Sequence, residues 1–398
     1  MRSMTFSCGV IATAAVVTLA GCSSGGGGGS SAAGPGATAL CRLTDPPKAT
    51  ASAPPTGTPP RAPASGGSVG VILPDTTSST RYTLYDAPLL QKAFDAAGIR
   101  SDIQNAGGDT ARFQQIAQSM IGAGVRVLII DPIDQTSGVA VEQQAAAAGI
   151  QVIDYDRLDL GGRAAYYVSF DNAEVGRLQA QALVDCLRQD EVSDPDVLMV
   201  DGGTDVDNNA VLFAQGANDV LRPLHDKHEL TIVSEVVDKG WDIANAAPTF
   251  SQALTAAGGQ VDAVLAANDD IANAAIGVLQ QNGLAGHVVV TGQDAQVEGL
   301  QNILRGQQSM TIFKDVALEA SAASALAIAL ISGQDPTALG ITFASEQLDP
   351  DNPGLKSVLL PPRVITYSNV QDVVAAGALT VEQVCNGVEQ ACAKAGLR

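Results

Sequence analysis

Histidines, aromatic rings and basic side chains are all scarce in this chain. Three His, one Trp, six Tyr and eight Phe are spread over 398 residues. There are 22 Lys and Arg against 42 Asp and Glu, for a formal net charge of -20. That balance argues against nucleic acid or anionic lipid headgroups as partners, because phosphate recognition depends on Lys and Arg. His225 and His228 fall in a polar loop, and His287 opens a strand, so no His-Glu-x-x-His metal helix exists. There is no Gly-x-Ser-x-Gly elbow, and no Gly-x-Gly-x-x-Gly follows the first apolar run. No two cysteines have the CxxC spacing of zinc or thioredoxin chemistry. Asp349, Asp351 and Asn352 cluster in a loop with two prolines, off the spacing of a calcium loop, and read as a plain turn. No enzyme, no cofactor and no metal site is expected. Carboxylate pairs at strand ends still leave exported glycosidase chemistry open as a rival.

Short apolar runs with polar ends are abundant. Val69-Gly70-Val71-Ile72-Leu73-Pro74 stops at Asp75, and Val127-Leu128-Ile129-Ile130 stops at Asp131. Val152-Ile153 stops at Asp154, and Tyr167-Val168-Ser169-Phe170 at Asp171. A second set ends in Asp201-Gly202-Gly203, Asn268-Asp269-Asp270 and Gly292-Gln293-Asp294. Continuous apolar runs flanked by Ala-rich helical stretches read as buried parallel strands. Ligands of open α/β sheets sit at the carboxyl ends of the strands. The expected fold is therefore α/β, with two Rossmann-like lobes of parallel sheet facing one polar cleft.

The N-terminus reads as export machinery. Arg2, a short apolar stretch over 10–19, and Leu19-Ala20-Gly21-Cys22 make a secretory leader too short to span a bilayer. The Leu-Ala-Gly-Cys run resembles the lipobox of bacterial lipoproteins, which implies cleavage after 21 and a lipid on Cys22. Residues 22–67 are mostly Gly, Ser, Ala, Thr and Pro, with eight of the 19 prolines between Pro35 and Pro63. Such a composition buries no core and reads as a disordered tether. Of the remaining cysteines, Cys385 and Cys392 pair with each other or one reaches Cys41, while Cys186 reads as a buried thiol in an apolar helix.

A neutral sugar needs planar bidentate groups around its edge and an aromatic plate against its C–H face. Trp241, in a polar loop after a strand, is the natural plate, and Tyr82, beside Arg81 after the first strand, the opposite one. The segments Ile153-Asp154-Tyr155-Asp156-Arg157, Val168-Ser169-Phe170-Asp171-Asn172, Asp205-Val206-Asp207-Asn208-Asn209, Ala267-Asn268-Asp269, Gly292-Gln293-Asp294-Ala295 and Ser309-Met310-Thr311-Ile312-Phe313-Lys314 occur in that order. Together they resemble the periplasmic sugar-binding proteins of ABC importers. The resemblance implies that Arg157, Asp207, Asn209, Asn268, Asp294 and Lys314 contact sugar hydroxyls, with Trp241 stacking. It implies that Arg81 is the arginine of the first loop, where Tyr82 stands in place of the family's Trp. Asp156 and Asp171 are expected to be structural, holding Arg157 or capping a helix.

The resemblance further implies a type I periplasmic binding protein fold, with lobes interleaved in sequence and joined by a hinge of three crossings. Lobe one is expected at 68–171 plus 314–345, and lobe two at 172–313 plus 346–396. The implied ligand is a monosaccharide, D-xylose or a similar aldopyranose, delivered to an ABC permease by a lipid-anchored, extracytoplasmic monomer. A sugar-sensing partner of a signalling kinase fits the same residues.

Overall fold

The computed structural model describes residues 41–49 and 67–397. The expected leader, Cys22 and most of the expected tether lie outside the described residues.

Strand and helix alternate from residue 68. The first half runs β1 (Ser68–Leu73), α1 (Ala87–Ala97), β2 (Arg100–Asn105), α2 (Thr110–Gly122), β3 (Val127–Ile130), α3 (Gln135–Ala147), β4 (Gln151–Tyr155) and β5 (Tyr166–Phe170). The second runs α4 (Asn172–Gln189), β6 (Asp196–Asp201), α5 (Asn208–Asp226), β7 (Thr231–Val237), α6 (Ile243–Ala256), β8 (Ala263–Ala266), α7 (Asp269–Gln281), β9 (Val289–Val290), α8 (Val297–Arg305) and β10 (Met310–Phe313). The chain closes with α9 (Val316–Ser332), β11 (Lys356–Leu360), β12 (Arg363–Thr366), α10 (Gln371–Ala375), α11 (Val381–Cys385) and α12 (Glu389–Ala395).

The strands form two parallel sheets. The first has the order β11-β5-β4-β3-β1-β2 and the second β7-β6-β8-β9. Helices cover both faces of the first sheet, so all four residues of β3 are buried. Leu90 and Phe94 of α1 pack with the Ala-rich α9 on one face. Phe113, Met120 and Val141 from α2 and α3 fill the other. Within the second lobe α4 and α5 cross unusually closely. A Cβ at Gly176 would lie 1.9 Å from the Phe213 carbonyl oxygen, and one at Gly216 1.9 Å from that of Ala173. Only glycine permits that approach, and it brings the start of α5 against the start of α4, beside the cleft.

The chain passes between lobes after β5, after β10 and after β11. The third passage differs from the expected division at 345/346. β11 pairs in parallel with β5, so the chain stays in the first lobe through Leu360 and leaves at Pro361-Pro362. The irregular stretch after α9 masked this, because Ser357-Val358-Leu359-Leu360 is one more buried apolar strand. β12 then pairs antiparallel with β10 in a two-stranded ribbon.

Two further expectations are corrected. Residues 41–49, counted with the tether, pack against the second lobe. Leu43 is buried, and its carbonyl accepts hydrogen bonds from Thr366 Oγ1 (2.9 Å) and Ser368 Oγ (2.8 Å). Lys48 bridges Arg363 in antiparallel fashion, and the Arg42 guanidinium lies 3.7 Å from the Tyr367 ring centre. Cys186 is not a free thiol but is disulfide-bonded to Cys41, while Cys385 pairs with Cys392. Composition hid this strap because its few apolar residues are enough only when a covalent staple holds them.

The Cys41–Cys186 bond closes a loop with a sequence separation of 145. Cross-links over such loops restrict the unfolded chain by about 3–5 kcal/mol. Cys41→Ser is expected to lower the urea midpoint of the second lobe accordingly. A denaturation curve superimposable on that of the parent would show that the strap contributes no stability.

Candidate functional site

The cleft is assembled from strand tips of both lobes and from the hinge. All nine residues expected there from sequence, Arg81, Tyr82, Arg157, Asp207, Asn209, Trp241, Asn268, Asp294 and Lys314, line one cavity, together with Ser78, Ser79, Asp156, Phe213 and Gln293. None of these residues is His or Cys, so the lining offers recognition groups and no imidazole or thiol.

Trp241 is placed by its own backbone and by two glycines. Its φ of 56° follows Gly240 at 65°, a left-handed pair that turns the loop back under the ring. A Cβ on Gly202 would come within 2.0 Å of the indole, and one on Gly203 within 2.7 Å. The indole N–H donates to Asp207 Oδ2 at 3.0 Å. Asp207 also caps α5 by accepting from Asn209 N (2.8 Å), so its carboxylate fixes both the ring and the helix. Phe213, one turn beyond Asn209 on the same face of α5, adds a second apolar ring.

Asp156 is the centre of the polar side. Its φ is 61°. Its Oδ1 accepts from Arg81 Nη1 (3.0 Å) and its Oδ2 from the Tyr82 hydroxyl (3.1 Å). Lys314 Nζ lies 3.9 Å from it and 3.4 Å from Asp294. Burial opposes the Asp156 charge, but Arg81, Lys314 and Arg157 outweigh it and hold the carboxyl at about 2. The expectation that Asp156 holds Arg157 is corrected by this geometry. Arg157 donates instead to the Pro132 carbonyl (3.1 Å) and Ser78 Oγ (3.2 Å), with Asp207 3.5 Å and Asp131 3.8 Å from its Nε. Adjacent residues at the end of β4 point to different sides, so each reaches its own partners. Asp171 caps α4 through Glu174 N (3.0 Å), as expected.

The expected contacts differ in how much bonding capacity the protein itself takes up. Arg81 is gripped on two edges by Asp86 (3.0 and 2.8 Å) and also meets Glu319, so it is chiefly an organiser of Asp156. Asn209 is an inter-lobe latch: its Oδ1 accepts from Tyr167 (3.0 Å) and Asn172 (2.9 Å), and its Nδ2 donates to the Asp156 carbonyl (2.8 Å). Asn268 spends only Oδ1, on the N-terminus of α7 (2.9 Å), and its Nδ2 has no partner among the described residues. Among the described residues the carboxylate of Asp294 meets only Lys314, while its backbone, with φ 92°, is tied to the Ile312 carbonyl (2.7 Å). Gln179 in α4 donates to the carbonyls of Ala267 (3.1 Å) and Gly292 (3.0 Å), tying the loops that carry Asn268 and Asp294.

Seven non-glycine residues among the described ones have positive φ, and Asp156, Trp241, Asp294 and the adjacent Ala295 are four of them. Such strain gathers where a site is over-determined by its surroundings. Ser78, Phe213 and Gln293 escaped the sequence reading. Phe213 had a signal, its i+4 spacing from Asn209; Ser78 and Gln293 had none beyond adjacency to motifs.

Two α/β lobes, three crossings and a cleft of paired donors and acceptors beside an indole define a two-lobed solute-binding protein. The chain belongs to the periplasmic binding protein family, whose domain model matches residues 69–335. These are exported binding proteins, not enzymes. It is 37% identical over 292 residues to the D-xylose-binding periplasmic protein of Escherichia coli, covering 73% of this chain and 84% of that one. It is 34% identical over 330 residues to a multiple sugar-binding periplasmic receptor of Rhizobium radiobacter, covering 78% and 90%. Among solved structures, a carbohydrate transporter solute-binding protein from Chloroflexus aurantiacus in complex with D-glucose superposes with a TM-score of 0.72 at 28% identity, over 80% of this chain and 98% of that one. An ABC transporter solute-binding protein from Clostridium phytofermentans with β-D-glucose gives 0.71 at 29%, over 79% and 99%.

Beneath Trp241, burial pushes Asp201 at the end of β6 up to about 7, with Glu235 adding to the shift and Arg222 opposing it. A carboxyl raised in the folded state stabilises most below its unfolded pKa and loses that contribution as pH rises through the folded value. Resistance to urea is therefore expected to fall between about pH 4 and 7, and Asp201→Asn to flatten that slope. Identical slopes for parent and variant would remove Asp201 from the account.

Proposed function

We propose that the protein captures a neutral monosaccharide, D-xylose or a similar aldopyranose, between its lobes and presents it to an ABC permease. The observation that carries this reading is the pairing, in one cavity, of a strained, glycine-seated Trp241 with under-used polar groups from the second lobe and hinge. Asp294 supplies acceptors, while Asn268 and Lys314 supply donors. Arg157, backed by Asp131 and Asp207, faces them from the first lobe. An indole suits the C–H face of a pyranose, and alternating donors and acceptors suit hydroxyls that are both. Arg81, Tyr82 and Asn209 act largely by shaping this set. The relatives named for xylose favour a pentose; the structural relatives holding D-glucose make the C5 substituent the feature to test.

Export and anchoring follow the same reading: a lipid on Cys22, some twenty residues before the strap at Cys41, would hold a monomer near its permease. A second reading rests on the relative named as a receptor. The loaded, closed form would serve a signalling partner equally, and gene neighbours encoding a permease and ATPase would favour transport.

A thermal-shift screen over pentoses, hexoses and short oligosaccharides is expected to single out monosaccharides, with xylose among the largest shifts. Trp241→Ala is expected to weaken the best sugar about 10- to 100-fold. Asp294→Ala, which removes a half-buried acceptor, should cost about 1–3 kcal/mol. Calorimetry showing parental affinity in Trp241→Ala, with circular dichroism unchanged, would take the indole out of the binding site. A screen with no monosaccharide response would overturn the reading altogether.

A further inference from the structure

We propose that Glu142, Asp154 and Asp159 form a binding site for one calcium-class divalent cation in the first lobe, away from the sugar cleft. Glu142 comes from α3, Asp154 from β4 and Asp159 from the loop that follows β4. One carboxylate oxygen of each lies within 4.8 Å of the others, and all three residues are buried. Two oxygens on opposite sides of a calcium ion at about 2.4 Å have that separation.

The carboxylates gather against one another with few donors from outside the cluster. Four of their six oxygens, Glu142 Oε1, Asp154 Oδ1 and both of Asp159, are buried and accept no hydrogen bond among the described residues. The other two take backbone N–H groups, Asp154 Oδ2 that of Asp159 (3.1 Å) and Glu142 Oε2 that of Arg163, and the Ala164 N–H also serves the Glu142 carboxylate. No Lys, Arg or His among the described residues forms an ion pair with any of them. Three buried carboxylates with no cationic side chain beside them are strongly unfavourable when ionised, and a bound cation would relieve that cost. Asp86 and Asp269 receive side-chain donors, whereas these three, like Asp131 and Asp238, leave buried carboxylate oxygens without one.

The surroundings make room for the cluster. A Cβ at Gly138 would lie 1.6 Å from Asp159 Oδ2, and one at Gly162 2.3 Å from Glu142 Oε2. The covering loop is pinned from outside, by Asp349 Oδ2 on Gly161 N (2.9 Å) and by Gln135 on the Leu160 carbonyl (2.7 Å). Gly161 and Arg163 are exposed, so a single short loop separates the cluster from solvent and gives an ion its way in. An all-oxygen, all-carboxylate set selects a hard cation over a transition metal that prefers nitrogen or sulfur.

The test uses the full chain, stripped with EDTA and titrated with calcium chloride at constant ionic strength, with no sugar present. Calorimetry is expected to show one saturable site, and melting to rise by at least ~2 °C at saturation. Asp159→Asn and Glu142→Gln are each expected to weaken that uptake at least tenfold while leaving any sugar response in place. No saturable uptake of calcium, magnesium or manganese by the parent protein overturns the proposal by itself. So does uptake that persists in both variants, which would assign the ion to the acidic surface. Should Asp159→Asn fail to fold, Glu142→Gln makes the same comparison.

Discussion

Asp156 is the buried carboxylate on which the cleft depends. A lone carboxylate so deep in protein would take up a proton or destabilise the fold. Here Arg81 reaches it from the first lobe, Lys314 from the hinge, and Tyr82 caps its other oxygen. Its backbone carbonyl meanwhile accepts from Tyr167 (2.9 Å) and from Asn209 of the second lobe (2.8 Å). One residue thus couples both lobes and a crossing strand. Removing any one cation would leave an under-compensated buried charge, whose cost far exceeds the worth of a surface pair. The supporting groups are themselves supported: Asp86 grips Arg81 on two edges and accepts from Tyr155.

The acids at the strand ends serve two separate tasks. Asp134, Asp171, Asp207, Asp242 and Asn268 each accept from a backbone N–H in the first turn of the following helix. Every helix start has unsatisfied N–H groups and a positive dipole end, so a short acidic side chain there is favourable in any α/β unit. Asp156 and Asp294 cap nothing. They sit in left-handed backbone, where Asp156 is taken up by Arg81 and the Tyr82 hydroxyl and Asp294 faces Lys314. Asp207 caps α5 with one oxygen and accepts from the indole N–H with the other.

This division explains what could be read from sequence and what could not. Parallel strands were legible because burial on both faces demands continuous apolar runs, and β1, β3 and β6 stand close to where those runs fall. The cleft residues were legible because strand tips of an open sheet have one place to point. The roles within the cleft were not, since side-chain saturation is a three-dimensional property: nothing in Asp207-Asn208-Asn209 says that Asn209 spends its amide on Tyr167 and Asp156. The third crossing was missed because a strand that adds to a sheet edge after a long irregular stretch has no helix before it to announce its lobe. The Cys41–Cys186 staple was illegible for a related reason: a segment with the composition of a linker is ordered here by one covalent bond and two hydroxyl groups on Leu43.

The latch at Asn209 bears on how such a cleft would close. A ligand shifts a two-state equilibrium only through contacts it makes in one state and not in the other. In this structure the lobes already touch through Asn209 and through Arg157 with Asp207. Those contacts lower the free-energy gap that a ligand must cover, so a small polyol with few hydroxyls can suffice. They also limit discrimination, because closure that the protein favours by itself depends less on each ligand hydroxyl. Affinity for small sugars and tolerance among them would then arise from one arrangement.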